Sequence, residues 1–481
     1  MCICDVEEKQ KLHKEPTCLV VGDAMLDRYL YGSVSRISPE APIPIVSIRE
    51  ETAMLGGSAN VAANLRGLGL EVVLCGVIGD DYEGNMLCKL MKQKGIIFQG
   101  LQSGRRTTIK TRIIGQAQQI VRIDKEDAEE LNGDEEQNLL QGILPWVEKA
   151  DCVILSDYKK GVCTERICQS VIEEAHRLGK KVFVDPKQAD WHRYRNADLI
   201  KPNFGEFCAV VGKKLKNSET DILEAATAVL QRYGLATLLV TRSQYGMSLI
   251  EAEGKAESFE AVQKEVYDVS GAGDTALAAL AAGWCWGYGL KEAVRLSNVA
   301  AGIVVGKIGT CTVGKRELLE GCQRAAERDS ALSAVEMSEL SGKLLEWRRQ
   351  KKKIVFTNGC FDILHRGHVD CLQKAKALGD ILIVGVNSDA SVKRLKGDFR
   401  PINTVQDRAY LLKAMDCVDE VVVFEEDTPY ELIQAVQPDI LVKGGDYRAE
   451  EVVGREFAGE VRILPFVEGY STSEIIHKSK A

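Results

Sequence analysis

Short, unbroken apolar runs recur along this chain, and between them apolar residues return every three or four positions. Leu19–Gly22, Val72–Ile78, Val153–Ser156, Val182–Asp185 and Leu238–Thr241 predict buried strands, because continuous apolar character fits a sheet covered on both faces. Asn60–Leu68 and Thr164–Leu178 predict helices between them. That alternation predicts an α/β fold with a largely parallel sheet. From Cys322 to Lys353 the pattern becomes charged and strandless, ending in Arg348-Arg349-Gln350-Lys351-Lys352-Lys353, which reads as a solvated helix end. Strand–helix alternation resumes with Ile354–Phe356, Ile381–Val386, Val421–Phe424 and Ile440–Val442. We expect a polar tail over residues 1–16, a domain over 17–320, a helical linker over 321–350 and a second domain over 351–481. No internal repeat is evident.

Composition narrows the function classes. With 481 residues and 45% hydrophobic content, the chain can build two packed cores. A net charge of −8 argues against nucleic acid as a partner, although a local basic pocket would still hold a small phosphorylated substrate. Most of the fifteen cysteines sit inside apolar runs (Cys75, Cys152, Cys208, Cys285), where a free thiol behaves as a small hydrophobe. No Cys-x-x-Cys pair occurs, and Cys2-Ile3-Cys4 has no second pair to complete a zinc site. A reducing compartment is expected. The charged start, with Glu7, Glu8, Lys9 and Lys11, lacks the apolar core of a signal peptide. The longest apolar stretch, Thr275 to Trp286, is too short for a bilayer, so a cytoplasmic protein with no membrane partner is expected.

Two glycine turns in the first half carry candidate chemistry. Asp268-Val-Ser-Gly271-Ala272-Gly273-Asp274-Thr opens an apolar helical stretch, so backbone N–H groups at the helix start can face an anion. Asp274 would sit beside that anion, as a general base for an attacking sugar hydroxyl or merely as a helix cap. Leu55-Gly56-Gly57-Ser58-Ala59-Asn60 is a second glycine turn feeding a helix, and Asn60 could bind a polyol. Arg105-Arg106-Thr-Thr-Ile-Lys110-Thr-Arg112 alternates with strand period; it is either a basic edge strand or lid gripping a phosphate on the substrate, or an exposed strand protected by charge.

These paired glycine motifs resemble the ribokinase (PfkB) family of sugar kinases over nearly all of residues 17–320. The resemblance implies Asp274 as catalytic base and the Gly271-Ala272-Gly273 amides as the anion hole. It implies that Asp23, Asp27, Gly57 and Asn60 hold the sugar, with Lys110 and Arg112 from the basic segment. Lys201-Pro-Asn203-x-x-Glu206 matches the family's Asn-x-x-Glu element near magnesium and phosphate, with Glu206 acting on the metal indirectly. Thr241-Arg-Ser-x-x-Gly246 matches its nucleotide-side loop. Val269 stands where the family often has Thr. No Gly-x₄-Gly-Lys-Ser/Thr loop occurs in this half.

The second half holds the most informative stretch, Lys353-Ile-Val-Phe-Thr357-Asn-Gly359-Cys-Phe361-Asp-Ile-Leu-His365-Arg-Gly-His368. An apolar strand breaks at a glycine turn, and two of the chain's six histidines follow three residues apart as a helix begins. Imidazoles and a helix N-terminus there suit phosphate oxygens. The motif resembles the nucleotidyltransferase superfamily of cytidylyl- and adenylyltransferases over about residues 350–478. The resemblance implies His365, His368 and Lys393 as the groups that neutralise developing charge. It places Thr357, Gly359, Phe361, Asp446 and the run Ser471-Thr472-Ser473 at the nucleotide. A phosphate monoester would attack the nucleotide's α-phosphorus and expel pyrophosphate; the nucleophile is already an anion, so alignment and charge neutralisation suffice.

Kinase first and transferase second at this length resembles the bifunctional heptose enzymes of Gram-negative bacteria. That resemblance implies a ribokinase-like three-layer domain followed by a Rossmann-like HxGH nucleotidyltransferase domain. It implies ATP and Mg²⁺ as co-substrate and cofactor, a sugar phosphate as substrate, and a homodimer. The residues themselves say only sugar kinase plus nucleotidyltransferase. Two alternatives stay open: another sugar kinase fused to a glycerol-phosphate-type cytidylyltransferase, and a nucleotide-binding sensor with a dead site.

Overall fold

A computed structural model describes residues 15–115, 118–262, 267–307, 309, 311–331, 334–335, 337–397, 399–445 and 448–465. The predicted contacts Asp446, Ser471, Thr472 and Ser473 lie outside the described residues. The chain divides into two compact units, Met1–Ala325 and Ala326–Ala481.

In the first unit, a nine-stranded sheet runs in the order Ala256–Phe259, Met247–Glu251, Thr237–Thr241, Leu199–Ile200, Lys181–Asp185, Cys152–Ser156, Thr17–Gly22, Glu71–Cys75, Ile97–Phe98. All neighbours are parallel except the pairs involving Met247–Glu251. Side chains of a strand alternate between its faces, and here both faces are buried. Cys18 and Val20 pack into one apolar cluster with Leu277 and Leu280, whereas Leu19 and Val21 pack into another with Ile167 and Val171. Helices therefore cover both sides, giving three layers.

A second sheet of four strands was not visible as apolar runs. Its order is Pro44–Gly57, Ala24–Ile37, Thr108–Gly115, Gln118–Lys125. These strands mix charged and apolar positions, and beyond their buried ends they carry exposed Ile37, Ile48 and Ile123. The edge-strand reading of the Arg105–Arg112 segment is corrected here. Thr108–Gly115 pairs on both sides, parallel to Ala24–Ile37 and antiparallel to Gln118–Lys125. Arg105 and Arg106 precede it, and Arg106 pairs with Asp127 at 2.7 Å.

The second unit is a five-stranded parallel sheet ordered Glu420–Phe424, Ile381–Asn387, Ile354–Gly359, Ile440–Gly444, Glu460–Leu464. Strand order reverses beside Ile354–Gly359, and open parallel sheets bind ligands at the carboxyl ends of the strands at such a point. Helix Met337–Arg349 lies in the stretch expected to be a linker. It buries Leu340 and Leu344 in a cluster with Phe356, Ile383 and Val436. Among the described residues, no helix is long and apolar enough to cross a membrane.

Candidate functional sites

In the first unit the two glycine turns meet. Helix Ser58–Gly67 begins after Gly57, whose φ is 58°; a Cβ there would lie 2.5 Å from the Asp23 carbonyl oxygen. Only glycine allows that close approach, and it brings Asn60 to the start of helix Ala272–Cys285. Asn60 Nδ2 donates to Asp274 Oδ2 at 2.7 Å, and the Tyr158 hydroxyl donates to Oδ1. Burial pushes the Asp274 carboxyl up to about 6, with the charge of Asp185 adding; the bonds from Tyr158 and Asn60 and the charge of Lys201 pull it down. A buried carboxylate that titrates near neutrality suits a general base.

Lys201 stands out in the sequence only as the start of a motif. It is buried, lies 3.3 Å from Asp185, and its Nζ approaches within 3.6 Å of where a Gly273 Cβ would stand. Its ammonium therefore sits beside the glycine turn. The Ala272 amide is directed elsewhere, donating to Val269 O at 3.2 Å, so its use as an anion donor requires that turn to open.

The sugar-side residues divide. Arg112 Nη1 donates to Asp27 Oδ1 at 2.6 Å, and Lys110 stands opposite Asp27 across the strand pair. Burial pulls the Lys110 ammonium below its ordinary value, while Asp27 acts to raise it. Asp23 is differently employed. Its carboxylate accepts from the amides of Tyr158 at 2.8 Å, Lys160 at 3.0 Å and Val162 at 3.1 Å. Burial and neighbouring Asp157 push it up to about 6. In this structure it shapes the loop that delivers Tyr158 to Asp274.

On the opposite side, Asn203 and Glu206 form a reciprocal cap for helix Phe204–Val211, each side chain accepting from the other's amide at 2.9 Å. Glu206 also takes Lys187 Nζ at 2.5 Å. Thr241 joins Asn203 through an isolated parallel bridge, and Gly246 closes the following turn by accepting Arg242 N–H at 2.7 Å.

In the second unit, Thr357 and Gly359 end the central strand, and the chain turns through Phe361 at φ 48°. His365 is the N-cap of helix Arg366–Lys376, and its ring stacks on His368 with centroids 3.8 Å apart. Phe361 packs against His368 at 5.2 Å. Burial lowers both imidazoles; His368 falls to about 4, with the charges of His365 and Lys396 adding. Each Nδ1 is buried and meets no hydrogen-bond partner among the described residues, which fits a site that receives a polar ligand. Lys393 is exposed on helix Asp389–Lys396, and the cation whose charge reaches His368 is Lys396.

Arg408 had no sequence signal. It is fully buried and donates to Cys360 O at 2.5 Å, Asn387 O at 2.8 Å, Asp389 Oδ1 at 2.7 Å and Asn403 O at 3.1 Å. It thereby ties the glycine turn to the end of the next strand. Asp362 holds the facing loop, accepting from Ile402 N at 2.7 Å and pairing with Arg400.

Residues 16–316 match the family model described as pfkB family carbohydrate kinase, and residues 356–478 match the one described as cytidylyltransferase-like. The bifunctional protein HldE of a Nitratiruptor species is 50% identical over 469 residues, covering 97% of this chain and 100% of that protein. The chain belongs to the bifunctional HldE family. Another HldE, from Helicobacter pylori, is 48% identical over 465 residues, 96% of this chain and 98% of that one. As an HldE-family member the chain is an enzyme, a sugar kinase and a nucleotidyltransferase in one polypeptide. Two solved structures share the fold of the first unit. Arabidopsis thaliana ribokinase complexed with ribose and ATP aligns with a TM-score of 0.52 at 20% identity over 64% of this chain and 99% of that one. Escherichia coli phosphofructokinase-2 aligns with a TM-score of 0.55 at 19% identity over 65% of this chain and 100% of that one.

Proposed function

We propose that the first unit phosphorylates D-glycero-D-manno-heptose 7-phosphate at O1 with ATP. The second unit then joins AMP from ATP to heptose 1-phosphate, releasing pyrophosphate and ADP-heptose. A separate phosphatase must remove the 7-phosphate between the steps. The reading rests on one observation above all: 50% and 48% identity to two bifunctional HldE proteins over 97% and 96% of this chain.

In the first step Asp274 takes the proton of the attacking hydroxyl as the sugar oxygen bonds to the γ-phosphorus and ADP departs. Lys201 and the amides at the helix start balance the transferred charge. Asp27, Lys110 and Arg112 hold the sugar phosphate. Magnesium, when bound, would neutralise phosphate charge. Glu206 lies near Asp185, whose carboxyl its charge raises, so a hard cation would meet oxygen ligands there through water and phosphates. In the second step, the sugar's phosphate oxygen attacks the α-phosphorus, and His365, His368 and the cations of helix Asp389–Lys396 stabilise the departing pyrophosphate. We further propose a cytoplasmic homodimer; light scattering of the purified chain tests the dimer, and cell fractionation the location.

Mass spectrometry of the products formed from ATP, heptose 7-phosphate and a phosphatase tests the whole reading. ADP-heptose is expected. Pyrophosphate release from CTP and glycerol 3-phosphate, with no ADP-heptose, would overturn it in favour of a cytidylyltransferase fusion.

A further inference from the structure

Tyr158 belongs to none of the sequence motifs, yet it touches both sides of the kinase site. Its hydroxyl donates to Asp274 Oδ1. Its ring carries Lys110 Nζ at 5.3 Å and Lys187 Nζ at 5.8 Å from the centroid. Lys110 stands opposite Asp27 on the sugar side, and Lys187 pairs with Glu206 on the phosphate side. The loop bearing Tyr158 is held by the three amide bonds to Asp23, so the ring's place is determined by backbone rather than by chance side-chain packing.

We propose that Tyr158 is the positioning residue of the phosphoryl transfer, orienting the Asp274 carboxylate through its hydroxyl and spacing Lys110 and Lys187 on its ring. The proposal rests on Asp274 being the base. Asn60 holds Oδ2 and Tyr158 holds Oδ1, so the carboxylate plane cannot rotate. Each oxygen keeps a second lone pair, one of which receives the substrate hydroxyl. Burial and neighbouring carboxylates hold the phenol well above its ordinary value, so it remains the donor. The charged groups facing Asp274 are Asp185, Lys201 and Lys187, from the strand ends and loops opposite its helix. Against burial and Asp185, the Tyr158 bond favours the ionised carboxylate.

Tyr158→Phe in the full chain, assayed with ATP and the sugar phosphate, tests this. Loss of one hydrogen bond to a charged acceptor should lower kcat about tenfold to a hundredfold. The acid limb of the kcat/KM profile should move to higher pH, while KM for ATP stays within about twofold. A ring that only fills space would leave that limb in place, which overturns the proposal. Incorporation of a fluorotyrosine at 158 covers the case of a misfolded variant: a more acidic phenol donates more strongly, so the limb should move to lower pH, and an unmoved limb again overturns it. Asp274→Asn separates the two levels of inference. If it retains full turnover, the base assignment fails; if it is inactive while Tyr158→Phe shows an unmoved limb, only the Tyr158 proposal fails.

Discussion

Replacing Asp274 by asparagine should make the first unit inactive and more stable at once. The carboxyl titrates at about 6 in the folded chain against an ordinary value of 3.8, chiefly because it is buried. At about 1.4 kcal/mol per factor of ten, holding it ionised costs the fold about 3 kcal/mol at pH 7. Asparagine removes that charge, but its NH₂ is a donor and cannot replace the carboxylate oxygen that accepts from Asn60 or Tyr158, so a bond worth about 1 kcal/mol is lost. A net gain of about 1–2 kcal/mol remains, a rise of a few degrees in Tm. The pH dependence follows from the sign of the shift. Below about 3.8 the group is protonated whether folded or unfolded, and no cost exists. Between 3.8 and 6 the unfolded chain ionises first, so the wild type loses stability relative to the variant; above 6 the difference is constant. Turnover should fall about 10²–10⁴-fold, the usual worth of a general base. Scanning calorimetry at about pH 4 and pH 7 with a coupled ADP assay measures both. The same stability difference between the two proteins at both pH values, or turnover within about tenfold of wild type, refutes the reasoning.

Other consequences concern single residues. His368→Ala should lower adenylyl transfer about 10²–10³-fold, as loss of one preorganised donor does, and leave kinase turnover unchanged; loss of both activities would point to a folding defect instead. Lys396→Ala should raise the NMR titration midpoint of His368 above about 4, because its charge depresses that imidazole, whereas Lys393→Ala should leave it unmoved. Arg408→Met leaves the carbonyls of Cys360, Asn387 and Asn403 without their donor, and denaturant unfolding of the second unit should show a loss of about 3 kcal/mol. Gly246→Ala would put a Cβ 1.9 Å from the Phe259 carbonyl oxygen at φ 78°, a backbone overlap that should cost at least about 2 kcal/mol and raise KM for ATP.

The sequence by itself determined the layered α/β class and the chemistry of each half. Runs such as Leu19–Gly22 and Ile354–Phe356 are apolar on both faces, and such runs with helical spacing between them have few other ways to bury themselves. Glycine turns at helix starts and a pair of histidines are local devices, so Asp274, His365 and His368 could be named from the sequence as candidates. What only the tertiary structure decided was which side chains from distant segments meet. Asn60 reaches Asp274 across 214 positions and Tyr158 across 116, and no local pattern encodes such a pairing. Of the four-stranded sheet only Thr108–Gly115 left a trace, in the strand period of Arg105–Arg112, because the other long, half-exposed strands mix charged with apolar residues. Arg408 escaped because an arginine among polar neighbours in a helix reads as surface until the carbonyls of Cys360, Asn387 and Asn403 converge on it. Lys393 and Lys396 lie one turn apart on the same helix, and that the charge of Lys396 reaches His368 came only from the packed structure.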